Sequence, residues 1–285
     1  MASANVLLLP EAGSGHLMSL IEAGKRLLAH GGRGDGEGPA VTITVLVVRP
    51  ATSESAAEVD AHVGRVEASG LGVRFHRLPA VEPPPMGCAA GNAREVAAGL
   101  ERSGHRFLWA LRGPPAAGTL HPTDASLDEL LPEGFLERTK GRGLVWPTWA
   151  PQKEILAHAA IGGFVTHCGW NSTLESLWHG VPLVPWPLYA EQRLNAFELV
   201  RDMGVAVPLG VDGKRRDSFV EAAELERAVR SLMDDASEVG RKAREKAAEM
   251  KAVCRNAVAP GGGSSYAALQ RLLGAIRGGF STMTQ

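Results

Sequence analysis

The chain has few cysteines, almost no net charge, no long apolar run and no basic leader. Three cysteines, at positions 88, 168 and 254, are odd in number and widely spaced. They make neither a disulfide framework nor a CxxC metal pair, and point to a reducing compartment. Thirty lysines and arginines stand against 31 aspartates and glutamates, a formal net charge of −1. Nothing in that balance calls for nucleic acid or an anionic membrane as a partner. No stretch reaches the roughly 18 apolar residues of a membrane span. Residues 1–9 lack a basic n-region, and the apolar run Val6–Leu9 stops at Pro10, too short for a secretory signal. These absences together read as a cytoplasmic protein.

What is present is ordinary for a globular chain. The length of 285 residues is a soft prior for two domains, and 45% hydrophobic with 21% charged residues lies in the usual range. Val6–Leu9 reads as a buried parallel strand, Glu11–His16 as a glycine loop, and Leu17–His30 as a helix. Val41–Val48, a helix over Ser53–Ala68 and a strand over Gly72–Leu78 complete a βαβαβ opening, the start of a doubly wound domain. The order then breaks. Pro79–Met86 is linker-like, and the helix Asn92–Ser103 has no strand before it. Arg106–Arg112 follows as a strand and 113–127 as a polar loop. Strands at Gly143–Trp146, Gly163–Thr166 and Pro182–Pro185 alternate with helices at Gln152–Ala157, Ser172–His179 and Glu191–Met203. Two amphipathic helices, Glu221–Met233 and Ser237–Asn256, precede a flexible Gly261–Ser265 hinge and a last helix, Tyr266–Ile276. The sheet-forming regions are roughly 1–86 and 87–260, with 261–285 as hinge and terminal helix. A doubly wound half needs on the order of 150 residues, so a region ending at 86 is half a domain.

The chemistry is concentrated in Trp149–Gln192. Trp149, Trp170 and Trp186 are three indoles that a core does not require, and the segment closes on Glu191-Gln192. His167-Cys-Gly-Trp-Asn-Ser172 lies between a strand and a helix, where free backbone N–H groups and the helix dipole favour an anion. Gly169 would let backbone approach it. Taken singly, each residue has a plainer explanation: Asn171 or Ser172 as an N-cap, Glu175 as a helix-stabilising acid, Trp149 as core, His16 as a loop-bonded helix start. His158, His167, Cys168 and His179 match no usual zinc spacing. The 11–16 loop lacks both the lysine of a phosphate loop and the third glycine of a dinucleotide fingerprint, which leaves little for an NAD-dependent dehydrogenase.

Together, WAPQ at 149–152, HCGWNS at 167–172, Glu175 three residues on and the closing EQ resemble the plant secondary-product signature of family 1 UDP-sugar-dependent glycosyltransferases. Glu95–Arg112, Leu131–Thr139, Asn195 and the G-G-S-S run agree with the same family. The resemblance implies an α/β, GT-B-like fold: two Rossmann-like parallel-sheet domains, the N-terminal one incomplete here, with the active site in the cleft. It implies glucose transfer from UDP-glucose, with inversion, to a hydroxyl of a small phenolic or flavonoid-like acceptor. No metal or organic cofactor is implied, UDP-glucose being a co-substrate. Trp149 would stack on uracil and the Ala150 backbone would read its edge. Gln152 and Glu175 would hold the ribose, and His167, Gly169, Trp170, Asn171 and Ser172 the diphosphate. Glu191 and Gln192 would hold the sugar, glutamine suggesting glucose rather than galactose. His16 would be the general base.

Set against that family, several βα units after the third strand have no counterpart, including the one that supplies an aspartate to the base histidine; Asp60 lies too early and in another helix. The join near Met86–Ala90 reads as an internal deletion, whether a splice product, a degraded gene or a faulty gene model. An unsupported base would cost about 10⁴-fold, as damage to a catalytic triad does, and a missing strand would leave a marginal, aggregation-prone protein. A non-catalytic remnant that keeps UDP-sugar or partner binding is therefore the alternative reading.

Overall fold

The computed structural model describes residues 3–8, 14–31, 40–48, 53–78, 92–115, 122–188, 191–211 and 219–278. The linker expected at Pro79–Met86 and the join at Met86–Ala90 lie outside them. The chain divides into two compact units, one holding the described residues of 3–78 with 256–278, the other those of 92–255.

The first unit contains β1 (Ser3–Leu8), α1 (Ser14–Gly31), β2 (Ala40–Val48), α2 (Ser53–Ala68) and β3 (Val73–Leu78). The three strands are parallel, in the order β1-β2-β3. In β2, Ile43, Val45 and Val47 are fully buried and alternate with half-buried Thr44 and Leu46. This is the period of two that puts alternate side chains on one face. Leu17, Ile21 and Leu27 of α1 and Val59, Val63 and Val66 of α2 pack on those residues. α1 begins at Ser14, so the loop expected over Glu11–His16 is already helical in its second half. Both crossovers add strands in one direction. A doubly wound sheet needs further strands on the other edge of β1, and among the described residues nothing pairs there. Leu7, 59% exposed, lies in that edge strand.

The second unit runs α3 (Asn92–Ser103), β4 (Phe107–Ala110), β5 (Arg112–Pro115), β6 (Pro122–Asp124), α4 (Leu127–Leu130), α5 (Phe135–Arg138) and β7 (Gly143–Trp146). It continues with α6 (Gln152–Ala157), β8 (Phe164–Thr166), α7 (Trp170–His179), β9 (Leu183–Pro185), α8 (Gln192–Arg201), α9 (Ala222–Met233) and α10 (Glu238–Ala257). β4 pairs with β7 and β8 with β9, both in parallel. Val96 and Leu100 of α3 meet Leu225 and Val229 of α9 in one buried cluster. Gly99 makes that approach possible, because a Cβ there would stand 2.9 Å from the Ala222 carbonyl. On α10 the charged face is solvated and lined by ion pairs such as Arg241–Glu245 and Lys242–Glu238.

Two expectations need correction here. The strand read over Arg106–Arg112 breaks at Leu111, and the loop read at 113–127 contains an antiparallel hairpin of β5 and β6. Arg112 pairs with Asp124 at 3.2 Å, and the Thr123 hydroxyl donates to the Pro114 carbonyl at 2.8 Å. Prolines cannot donate to a ladder, so side chains supply much of the hairpin's bonding, and no alternation marks it in the sequence.

After α10 the chain turns through Gly261, at φ +85°, into α11 (Ser264–Gly278). The hinge expected over Gly261–Ser265 is thus shorter by its two serines. Leu273 of α11 is buried in the core of the first unit, with Leu269 packed against it.

Candidate donor site

The Trp146 indole N–H donates to the Trp149 carbonyl at 3.1 Å, which fixes the loop between β7 and α6. Trp149 is 72% exposed. An indole left in water on a tethered loop offers an apolar face for stacking. Ala150, half-buried, follows, and three residues after Trp149, Gln152 opens α6. Its amide nitrogen donates both to the Ser172 hydroxyl at 3.0 Å and to a Glu175 carboxylate oxygen at 2.8 Å. Ser172 and Glu175, three apart on α7, share a face. Gln152 therefore clasps α6 to α7 and holds the Glu175 carboxylate at a fixed angle.

α7 starts at Trp170, two residues earlier than the sequence spacing suggests, and its N-cap is Gly169. That assignment moves Asn171 and Ser172 out of the cap and into the first turn. No side chain caps the helix, and its first turn contains no acid. The N–H groups left at such an end are what an anion binds. Trp170 is 52% exposed beside them.

His167, at the end of β8, is half-buried. Its ring lies over Gly169 so closely that a Cβ on that glycine would collide with Nε2. Burial holds the His167 pKa below the ordinary imidazole value of 6.5, with the Glu191 carboxylate pulling the other way. Between them Cys168 has φ +62°, the one positive-φ residue other than glycine among those described. Burial pushes its thiol up to about 12, so it is an inert filler rather than a nucleophile. Its carbonyl accepts a hydrogen bond from the Asn195 amide at 2.9 Å.

Glu191 is the exposed N-cap of α8, and Gln192 its first residue, only 3% exposed. The Gln192 carboxamide oxygen accepts from the Leu188 N–H at 2.9 Å, so it stiffens the loop after β9. Trp186 does not belong with Trp149 and Trp170. It packs on the cluster of Val96, Leu100 and Leu225, because the strand preceding it runs into the interior. Spacing alone marks neither the tether at Trp146 nor the bonding of Asn195, which enters only as a flank of the signature. The signal for the latter was the i, i+3, i+7 spacing of Gln192, Asn195 and Leu199, the buried face of α8.

His16 falls in the first turn of α1, in the first unit, and its side chain lies outside the described residues. Among the described residues no group of three or more His, Cys, Asp or Glu could hold a metal ion, and no helix is long and apolar enough to cross a membrane.

The acid side of stability follows from two histidines. His179 is also held below 6.5, first by burial and then by Arg255, Lys251 and Lys153, against Glu175. Both groups bind protons less tightly folded than unfolded. The unfolded chain therefore takes up protons first as pH falls through 6.5, and stability present above that value is lost below it. Urea midpoints measured between pH 7.5 and 5 should fall, and the fall should shrink in His179→Gln. An unchanged slope in the variant counts against this assignment.

Comparison with known proteins identifies the family and the fold. The family model described as UDP-glucoronosyl and UDP-glucosyl transferase matches residues 86–240. A malvidin galactosylase, UGT88C3, of Oryza sativa subsp. japonica is 74% identical over 67% of this chain, and the match spans 39% of the rice protein. The chain thus spans about two fifths of the length of the curated relatives it matches. A solved UGT transferase of Siraitia grosvenorii in complex with UDP is 35% identical, with a TM-score of 0.61 over 82% of this chain and 60% of its own. Medicago truncatula UGT71G1, solved with UDP-glucose, aligns over 96% of this chain and 98% of its own at a TM-score of 0.75 and 22% identity, a likeness of fold. The fold is the GT-B type of these plant transferases, and the match over 86–240 covers more than half the chain. The chain belongs to the UDP-glucoronosyl and UDP-glucosyl transferase family.

Proposed function

We propose that this chain binds a UDP-hexose in its second unit and acts as a hexosyltransferase on a hydroxyl of a small phenolic, flavonoid-like acceptor. The observation that carries the proposal is the clasp of Gln152 on Ser172 and Glu175 beside the uncapped start of α7. A nucleoside diphosphate matches that arrangement part by part. Uracil stacks on Trp149 and meets the Ala150 backbone, and the ribose hydroxyls bond Glu175 and Gln152. The diphosphate lies on the first N–H groups of α7 with His167, Gly169, Trp170, Asn171 and Ser172, and the exposed Glu191, with Gln192 beside it, is assigned to the sugar. His16 takes the proton from the acceptor oxygen as that oxygen bonds to the anomeric carbon. The bond from that carbon to the diphosphate breaks, UDP leaves, and the centre inverts. Three widely spaced cysteines suit a reducing compartment, and we assign the reaction to the cytoplasm on that ground.

The donor sugar needs its own test. Gln192 favours glucose in the family pattern, and the Siraitia and Medicago structures hold UDP and UDP-glucose, whereas the rice relative is named for galactose transfer. A second reading keeps binding without transfer. It is favoured by the three-stranded first unit, whose β1 edge has no partner strand among the described residues. Titration calorimetry with UDP-glucose and UDP-galactose, followed by turnover of a phenol panel with a His16→Ala control, separates these. Tighter UDP-glucose binding, and turnover lost by at least about 10²-fold in the control, supports transfer of glucose. Binding with no turnover supports the second reading, and no binding of either nucleotide sinks both.

A further inference from the structure

The buried face of α8 consists of Gln192, Asn195 and Leu199, two of them polar. Polar side chains stay inside only when bonded, and both bonds described above end on the backbone of a neighbouring loop. Asn195, 7% exposed, reaches 27 residues back to the Cys168 carbonyl. That residue is the one that adopts a left-handed backbone although it carries a Cβ. The turn it makes joins the end of β8 to the N-cap of α7, and so sets the direction in which α7 presents its first N–H groups. The rest of the bracing is weak or lies further back. The Cys168 N–H reaches the Thr166 hydroxyl only at 3.4 Å, and the Trp186 N–H donates to the Thr166 carbonyl at 2.7 Å.

We propose that Asn195 is a positioning residue for the diphosphate: it touches no substrate, holds the Cys168 turn in its left-handed form, and locks that turn to the helix that carries Glu191 and Gln192. The inference rests on the donor-site reading above. A residue that only supports the fold would weaken every ligand alike. A residue that aims the α7 terminus should weaken the diphosphate contact and spare the base and ribose, which are held by Trp149, Gln152 and Glu175.

The test is calorimetry of the full chain with UDP and with uridine, in wild type, Asn195→Ala and Asn195→Ser. The serine variant leaves room for a bridging water and is the milder change. UDP affinity is expected to fall about tenfold or more in the alanine variant and less in the serine variant, with uridine affinity unchanged within about twofold. Parallel losses for both ligands, no loss for either, or failure of both variants to fold overturns the proposal. Wild type that does not bind UDP sinks the donor-site reading instead, before any variant is measured. Cys168→Gly adds an internal check, since glycine adopts the turn without cost. The Asn195→Ala deficit should shrink in that background, and an equal deficit there rules out the left-handed turn as what Asn195 holds.

Discussion

Gly169→Ala is expected to lower UDP affinity by between about ten- and a hundredfold, the range for losing hydrogen bonds to a charged group, while leaving the melting temperature almost unchanged. The backbone there, φ −59° and ψ 146°, suits any residue, so the glycine is not needed for its conformation. It is needed for space. A Cβ would collide with Nε2 of His167, with the next ring atom at 3.1 Å. The imidazole must then swing away from the start of α7, and the new methyl group stands where backbone would approach a phosphate oxygen. His167 is half-buried and its displacement opens no core, which is why stability should hold. Calorimetry with UDP beside a thermal melt reads both quantities. An alanine variant that binds UDP as wild type does would show that the diphosphate is not held against this turn. A large drop in melting temperature would show that the ring–glycine contact supports the fold instead.

Trp149→Ala should weaken uridine and UDP together, by roughly 5- to 150-fold, the range for removing one aromatic platform from under a base at about 1–3 kcal/mol. Its stability cost should be small, as for other exposed positions, because 72% of the residue is already in water. The Trp146–Trp149 hydrogen bond uses the Trp149 carbonyl, so truncating the side chain leaves the loop tethered. Trp149→Phe keeps a π face and should recover most of the affinity. The pattern across variants is more telling than any one value. Loss at Trp149 should fall on both ligands, whereas loss at Gly169 and Asn195 should fall on UDP alone. Uridine binding that survives Trp149→Ala would move the base-binding surface elsewhere on the unit.

Much of this was legible from residue order, and the reason is local. β2 announces itself through Ile43, Val45 and Val47, because backbone pleating imposes a period of two wherever one face is buried. α2, α3, β7 and α6 begin and end where their spacing predicts, since those boundaries are set within a few residues. The signature from Trp149 to Gln192 names the family because its residue types are jointly improbable, and the family match agrees. The first sheet was legible too: among the described residues it has the three strands β1-β2-β3 that the apolar runs of the first 78 positions predict.

Other features depended on distances that no local pattern encodes. The hairpin of β5 and β6 rests on Arg112–Asp124 and Thr123–Pro114 contacts, in a segment too rich in proline to alternate. The start of α7 at Trp170 turned on a left-handed cysteine, a conformation that sequence statistics assign to glycine or asparagine. Trp186 and Trp149 are the same residue type within one signature, yet one faces the core and the other faces water, according to where their loops emerge. The sequence by itself determined most of the elements, the family and the residues proposed for the donor site. Only the tertiary structure decided how that inventory is held: Gln152 on Glu175 across 23 residues, and Asn195 on Cys168 across 27. A hydrogen bond between elements forms where packing brings donor and acceptor within about 3 Å, and that is a property of the packed chain rather than of any segment in it.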